Sequence, residues 1–161
     1  MGFFYVQILP CLVFLENKFI PSTMASINTN IHFHGATPIL RVQKLANSLH
    51  YYKKSLGFKL DWGGKELIAA VSRGSCSLIL VEGDQGNPGS WVWIGINDVV
   101  KLHSEFITNG AKIRHAPTNY WWAYEMQVED LDGNVLRFGS EPQKDMPIGQ
   151  WLDMNGVEWQ F

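Results

Sequence analysis

The chain contains the same unit twice, and this repetition constrains its fold more than any other feature. Ile39-Leu40-Arg41-Val42-Gln43-Lys44 opens a helix that ends at Leu56-Gly57-Phe58-Lys59-Leu60, and Ile94-Gly95-Ile96-Asn97-Asp98-Val99 opens a second that ends at Asn109-Gly110-Ala111-Lys112-Ile113. The copies lie roughly 54 residues apart, and each reads as strand, amphipathic helix, glycine stop, strand. Two copies are too few for a solenoid. They suit a pseudo-symmetric domain in which two sheets face each other, with a cavity shared between the halves as the natural place for a ligand.

Side-chain periodicity fills in each copy. Thr37 to Val42 reads as a strand. Leu45, Leu49, Tyr52 and Leu56 then fall on one face of a helix spanning Lys44 to Ser55, which must bury against a sheet. Gly57 stops that helix. Phe58, Leu60 and Trp62 alternate with Lys59 and Asp61, the period of a half-buried strand, and Glu66 to Arg73 and Cys76 to Glu82 read as two more. Gly83 to Gly89 has loop composition and links the copies, without a phosphate-binding pattern. The second copy runs from a strand at Ser90 to Ile96 into a helix capped by Asp98, with Val99, Leu102, Phe106 and Ile107 as its apolar face. Strands follow at Lys112 to Ala116, Trp122 to Glu129 and Asn134 to Ser140, the last two joined by a tight turn at Asp132-Gly133-Asn134. The expected fold class is α+β, built from two βαβββ modules at residues 37–82 and 90–140.

Composition narrows the function. The 161 residues suit one domain. A net charge of -2 with 17% charged residues leaves no basic field for nucleic acid or an anionic membrane. Cys11 and Cys76 are too few for a disulfide framework or a metal motif, which points to a reducing cytoplasm. Seven Trp exceed what a small core needs. Residues 1–35 read as a leader outside the fold, with Met24 an alternative start. Its apolar run from Gly2 to Leu15 is broken by Pro10 and is shorter than the ~20 residues of a spanning helix. Its first positive charge, Lys18, is on the wrong side for a signal peptide. The tail, residues 141–161, carries Gly149-Gln150-Trp151-Leu152-Asp153-Met154, too apolar for water and expected to pack on the domain or on a partner subunit.

The duplicated unit, the helix end Tyr51-Tyr52-Lys53-Lys54-Ser55-Leu56-Gly57-Phe58 and the closing Asp130-Leu131-Asp132-Gly133-Asn134-Val135-Leu136-Arg137-Phe138-Gly139 resemble the glyoxalase/bleomycin-resistance/dioxygenase superfamily, or vicinal oxygen chelate fold. The resemblance covers about residues 36–140 and is strongest in that closing segment. The tail makes the chain look closest to the bleomycin-resistance-like branch. The resemblance implies a homodimer of cupped mixed sheets with helices on the convex face. It also implies, for the superfamily's enzymes, a divalent metal held by inward-facing His, Glu or Gln. Aligned on the motifs, three of those positions fall at Thr37, Trp91 and Arg137. An indole offers a metal no lone pair and a guanidinium repels it, so neither a metal nor another cofactor is expected. The fourth position does not align, and Cys76 to Val81 offers only a thiol.

Other chemistry finds weak support. His32-Phe33-His34 places two imidazoles on one side of an extended segment but lacks a third ligand. His50, His103 and His115 read as surface or partly packed imidazoles, and no serine lies in a nucleophile elbow. No catalytic residue is assigned. Strand alternation assigns the concave face instead: Thr37, Ile39 and Arg41 in the first module, and Trp91, Trp93, Gly95, Glu125, Gln127, Val135, Arg137 and Gly139 in the second. Trp62, Tyr120, Trp121, Trp122 and Tyr124 are candidate rim residues. The expected ligand set is Thr37, Ile39, Trp62, Trp91, Trp93, Trp122, Glu125, Gln127 and Arg137. These aromatics suit a flat or cationic organic compound, with Glu125 fixing an ammonium, and the resemblance suggests a bleomycin-type antibiotic held by sequestration. Against this stand a structural Glu125–Arg137 ion pair and Trp residues that merely fill a dimer interface. The alternative function is a metal-dependent lyase, isomerase or dioxygenase using unusual ligands such as His115 or Glu141.

Overall fold

The computed structural model describes residues 34–151, 153 and 155–157. The expected leader up to residue 33, which includes Cys11, His32 and Phe33, lies outside the described residues, as do Leu152 and Met154 of the tail. In chain order the elements are β1 (Ile39–Val42), α1 (Leu45–Lys54), β2 (Lys59–Gly63), β3 (Ile68–Arg73), β4 (Cys76–Glu82), β5 (Trp91–Gly95), α2 (Val99–Thr108), β6 (Lys112–Asn119), β7 (Tyr124–Glu129) and β8 (Val135–Ser140). The first sheet has strand order β1-β4-β3-β2 and the second β5-β8-β7-β6. In both, the first strand runs parallel to the last and the other pairs are antiparallel. Duplicated sequence has become duplicated topology: the two βαβββ modules of an α+β fold.

Local chemistry explains each module. Asp98 caps α2, its carboxylate accepting from the Lys101 N–H at 2.9 Å. Gly57 and Gly110 follow the two helices at φ of 68° and 71°, where a side chain would strain the backbone. Leu45, Leu49, Tyr52 and Leu56 are buried beneath the first sheet. In α2, Val99 and Phe106 are buried but Ile107 is 57% exposed. Ile107 stands about 100° around the helix from Phe106, off the stripe that faces the sheet.

Two strands depart from simple alternation. In β2 the pairing with β3 shifts between Leu60 and Trp62, so Leu60 opposes Val71 but Trp62 opposes Ala70. The extra residue, Asp61, accepts from the Ser72 hydroxyl at 2.8 Å. This bulge turns Trp62 to the face opposite Leu60. The strand is an edge, and all five of its residues are exposed rather than half-buried. β6 runs on to Asn119, beyond the expected Ala116, with two irregularities that accommodate Pro117 on an edge.

A knot of hydrogen bonds at the turn between β7 and β8 joins the modules. Asp130 Oδ1 accepts from the backbone N–H groups of Asp132 and Asn134, both at 2.8 Å. Its Oδ2 accepts from the Asn134 amide at 2.8 Å and from the Tyr52 hydroxyl of α1 at 3.0 Å. Asp132 accepts from Ser48 of α1 and from the Gln43 N–H. Asn134 donates to the Arg41 carbonyl and accepts from the N–H of Ser90, the residue that follows the linker. Tyr51 adds a bond to the Glu129 carbonyl and accepts from the Lys112 N–H. On the other side, Arg73 of β3 pairs with Glu105 of α2 at 2.7 Å and donates to the Leu56 carbonyl.

These contacts bring the helix-facing sides of both sheets into one core. Leu40, Tyr52, Val71 and Leu80 of the first module share it with Phe106, Met126, Leu136 and Phe138 of the second. The concave faces are therefore not turned toward each other. The arrangement corrects the expectation that the two sheets face each other: apolar burial of the helices draws the helix-facing sides together, and the groove that both modules line runs along their seam instead.

Asp130→Asn replaces an acceptor oxygen with a donor in a fully paired knot and is expected to cost about 2 to 3 kcal/mol, lowering the denaturant midpoint of both modules in one transition. Burial, the dominant influence, raises the Asp130 pKa above its ordinary 3.8 although Asn134, two backbone amides and Tyr52 favour the anion. A raised folded-state pKa stabilises fully below the unfolded value and fades as pH climbs through the folded one. The deficit of Asp130→Asn relative to the parent is thus larger at pH 4 than at pH 7, which chemical denaturation at the two pH values measures.

Candidate ligand-binding site

The register of the second sheet lines up its concave residues in rows. Trp93, Arg137, Gln127 and His115 share one row; Gly95, Gly139, Glu125 and Thr118 the next; Trp91 and Val135 begin a third with Glu129 and Lys112. Two of these positions are glycine for a visible reason. A Cβ on Gly139 would lie 2.9 Å from Trp93 Cζ2, and one on Gly95 3.2 Å from Cζ3. The bare backbone lets the Trp93 indole lie down on the sheet while the residue remains 54% exposed.

Beneath it the charges are neutralised. Glu125, 1% exposed, accepts three hydrogen bonds of 2.8 to 3.0 Å from Nε and Nη2 of Arg137. Its Oε2 also accepts the indole N–H of Trp93 at 3.4 Å and of Trp122 at 3.3 Å. A carboxylate held in this way is fully engaged, which matches the ion-pair reading of Glu125 and leaves it no ammonium to fix.

The rim is a stack of rings. Tyr120 and Trp122 lie parallel with centroids 4.7 Å apart. Trp151 meets both edge-on, and Arg137 lies 4.4 Å from the centroid of the Trp151 ring. Trp121 packs edge-on against Trp122 but is 75% exposed. Trp91 carries Arg114 over its ring at 5.4 Å. The Tyr120 hydroxyl is buried with no hydrogen-bond partner among the described residues; burial raises its pKa, helped by Glu125, while the nearby Thr118 hydroxyl and Arg137 oppose the rise.

The remaining expected residues lie elsewhere. Ile39 and Trp62 share a face of the first sheet with Ala70 and Ile79, and are 40% and 51% exposed. Thr37 precedes β1 and is exposed. One chain thus brings together Trp93, Trp122, Glu125, Gln127 and Arg137, with Trp91 one row away, but leaves Thr37, Ile39 and Trp62 on a separate surface. A groove of about 780 Å³ starts at Trp93 and Trp122 and runs past Gly95 and Asn97 to Cys76, Arg73 and Glu105 at the seam between modules. Such a volume suits a small organic molecule.

The donor set does not fit the superfamily's divalent ion. Arg137 stands beside Trp93, one row from Trp91, so the second module's two expected positions offer no ligand pair. Among the described residues no three His, Cys, Asp or Glu side chains gather in a possible metal site. His115 sits on β6 with Nδ1 3.0 Å from the Ala116 carbonyl, His50 is exposed on α1, His103 is half-buried on α2, and Glu141 is exposed beyond β8.

Comparison with known proteins decides the family. A family model described as glyoxalase superfamily protein matches residues 22–145. The chain belongs to the glyoxalase superfamily. No functionally curated sequence matches it. Among solved structures, the bleomycin-binding protein of bleomycin-producing Streptomyces verticillus, complexed with copper(II)-bleomycin, is 24% identical with a TM-score of 0.59, covering 70% of this chain and 99% of that one. TnmS3, an antibiotic-binding protein from Streptomyces sp. CB03234, is 20% identical with the same TM-score and coverage. The virulence protein STM3117 of Salmonella typhimurium is 18% identical with a TM-score of 0.56, covering 69% and 98%. At these identities the likeness is one of fold. Within this glyoxalase-superfamily fold, the residue that sequence reasoning missed is Trp151: the apolarity of its segment signalled packing, but no spacing named Arg137 as its partner.

Gly139→Ala is expected to lift the Trp93 indole from the sheet, shifting its N–H resonance and lowering stability by about 1 to 3 kcal/mol as overpacking does. Gly95→Ala, with a looser contact, moves the resonance less. Two-dimensional NMR of the indole N–H groups reads both.

Proposed function

We propose that the protein binds a flat organic molecule on the Trp93 face and sequesters it, without a metal of its own and without breaking a bond. The carrying observation is the Trp93 indole laid over Gly95 and Gly139 and held by Glu125, its face still open to solvent. Stacking on such a ring contributes about 0.5 to 1.5 kcal/mol beyond the area it buries. The fold neighbours described as a bleomycin-binding and an antibiotic-binding protein support this reading, and a bleomycin-type antibiotic is the first candidate.

Flatness is favoured over positive charge. The position that would receive a cation already holds the Arg137 guanidinium, between Glu125 and Trp151. A homodimer belongs to the same proposal: the apolar surface of Ile39, Ile79 and Trp62 suits a second copy that would complete a two-sheet cup. The cysteine content supports a cytoplasmic setting. No observation favours the metal-dependent lyase, isomerase or dioxygenase.

Titration with metal-free bleomycin and with copper(II)-bleomycin is expected to quench tryptophan fluorescence, and Trp93→Ala to weaken binding by about tenfold or more. Absence of quenching and of calorimetric heat at micromolar protein would defeat the ligand assignment. One tightly held divalent ion per purified subunit would favour the enzyme.

A further inference from the structure

The tail beyond β8 is fastened before it reaches the site. The Asn119 side-chain amide donates to the carbonyls of Gln143 and Met146 at 2.9 and 3.0 Å, and its Oδ1 accepts from the Gln143 N–H at 2.8 Å. The Asn119 carbonyl accepts from the Gly149 N–H at 2.7 Å. Gly149 lies so close to the Thr118 methyl that a Cβ there would collide with it. Two residues further on, the Trp151 ring covers Arg137 and closes against Tyr120 and Trp122.

We propose that Trp151 is the resident occupant of the position over Arg137 and against Trp122, where its ring faces the guanidinium and meets the indole edge-on, and that a flat aromatic ligand carrying a hydrogen-bond acceptor or an anionic group binds by displacing it. This deepens the reading that the second module's concave face takes a flat ligand, and rests on it. The chemistry of the covered floor selects the ligand. Arg137 spends Nε and Nη2 on Glu125, and none of those three bonds uses Nη1. The Tyr120 hydroxyl is buried without a partner among the described residues. An indole satisfies neither group, because its ring supplies a π face and its N–H is a donor only. A sulfonate, carboxylate or carbonyl is an acceptor for either donor, and the flat ring system that carries it replaces the indole over the guanidinium. Fastening at Asn119 leaves the tail attached while the ring moves.

The test uses 8-anilinonaphthalene-1-sulfonate, a flat anionic probe, titrated against the full chain and against Trp151→Ala and Trp151→Phe. Removing the occupant's cation–π contact is expected to raise the probe's affinity for Trp151→Ala by about 2- to 30-fold, the equivalent of about 0.5 to 2 kcal/mol. Trp151→Phe keeps a ring in place and is expected to stay close to the parent. Equal or lower affinity of Trp151→Ala, including undetectable binding by both proteins, overturns the proposal. Unchanged melting of Trp151→Ala verifies that the fold is intact; should it melt lower, the parent's Trp151 indole N–H resonance, assigned by its absence from the spectrum of Trp151→Phe, is followed instead: it must move on probe addition, and its constancy also overturns the proposal. Failure of bleomycin to bind, with the affinity ratio for the probe as expected, removes the bleomycin assignment and leaves the displaced ring.

Discussion

The buried carboxylate of Asp130 is the interaction on which the rest of this structure depends. It accepts four hydrogen bonds: from the backbone N–H groups of Asp132 and Asn134, from the Asn134 side-chain amide and from Tyr52 of the first module's helix. Through Asp132 and Asn134 the same turn reaches α1, the end of β1 and the residue that follows the linker. A buried, fully satisfied network of this kind specifies one arrangement because each alternative leaves a polar group unpaired. Here it ties the two modules together across the common apolar core formed by their helix-facing sides, while Ile39 and Trp62 on one sheet and Trp91 and Trp93 on the other stay open to solvent.

What each face then becomes depends on its side chains. The first sheet offers an open apolar surface around Ile39 and Trp62. The second is partly filled by its own residues: a carboxylate and a guanidinium neutralise each other at the floor, and rings from β5, from the segment before β7 and from the tail close over them. The superfamily's duplicated architecture can bring metal donors to one centre, but this chain carries an indole and a guanidinium where donors are expected. The glycine pair under Trp93 shows the alternative use of the same floor, as a seat for an aromatic ring.

Much of the architecture was legible in the chain because helix and strand periods, glycine stops and the Asp98 cap are local signals. The spacing of Leu45, Leu49, Tyr52 and Leu56 and the alternation along β5 and β8 name their faces without reference to distant residues. Trp62 shows where alternation fails: a bulge at Asp61 inverts the face of every residue beyond it, and nothing in the local pattern announces the extra residue. The packing of the two modules was hidden for a different reason. Tyr52 and Asp130 are far apart in sequence, and a tyrosine on an apolar helical stripe looks like any core residue until its hydroxyl finds a carboxylate. The tail signalled burial through its apolar residues, but a single indole carries no periodicity from which to name Arg137.

On the proposed function, the concave face of the second module, and specifically its β5–β8 pair, receives the ligand. Hydrogen–deuterium exchange of the full chain with and without metal-free bleomycin tests it most directly. Slowed exchange in Trp91–Gly95 and Val135–Ser140 with no metal added is the expected result. Protection confined to other elements, or protection that appears only when a divalent ion is supplied to the protein, would contradict it.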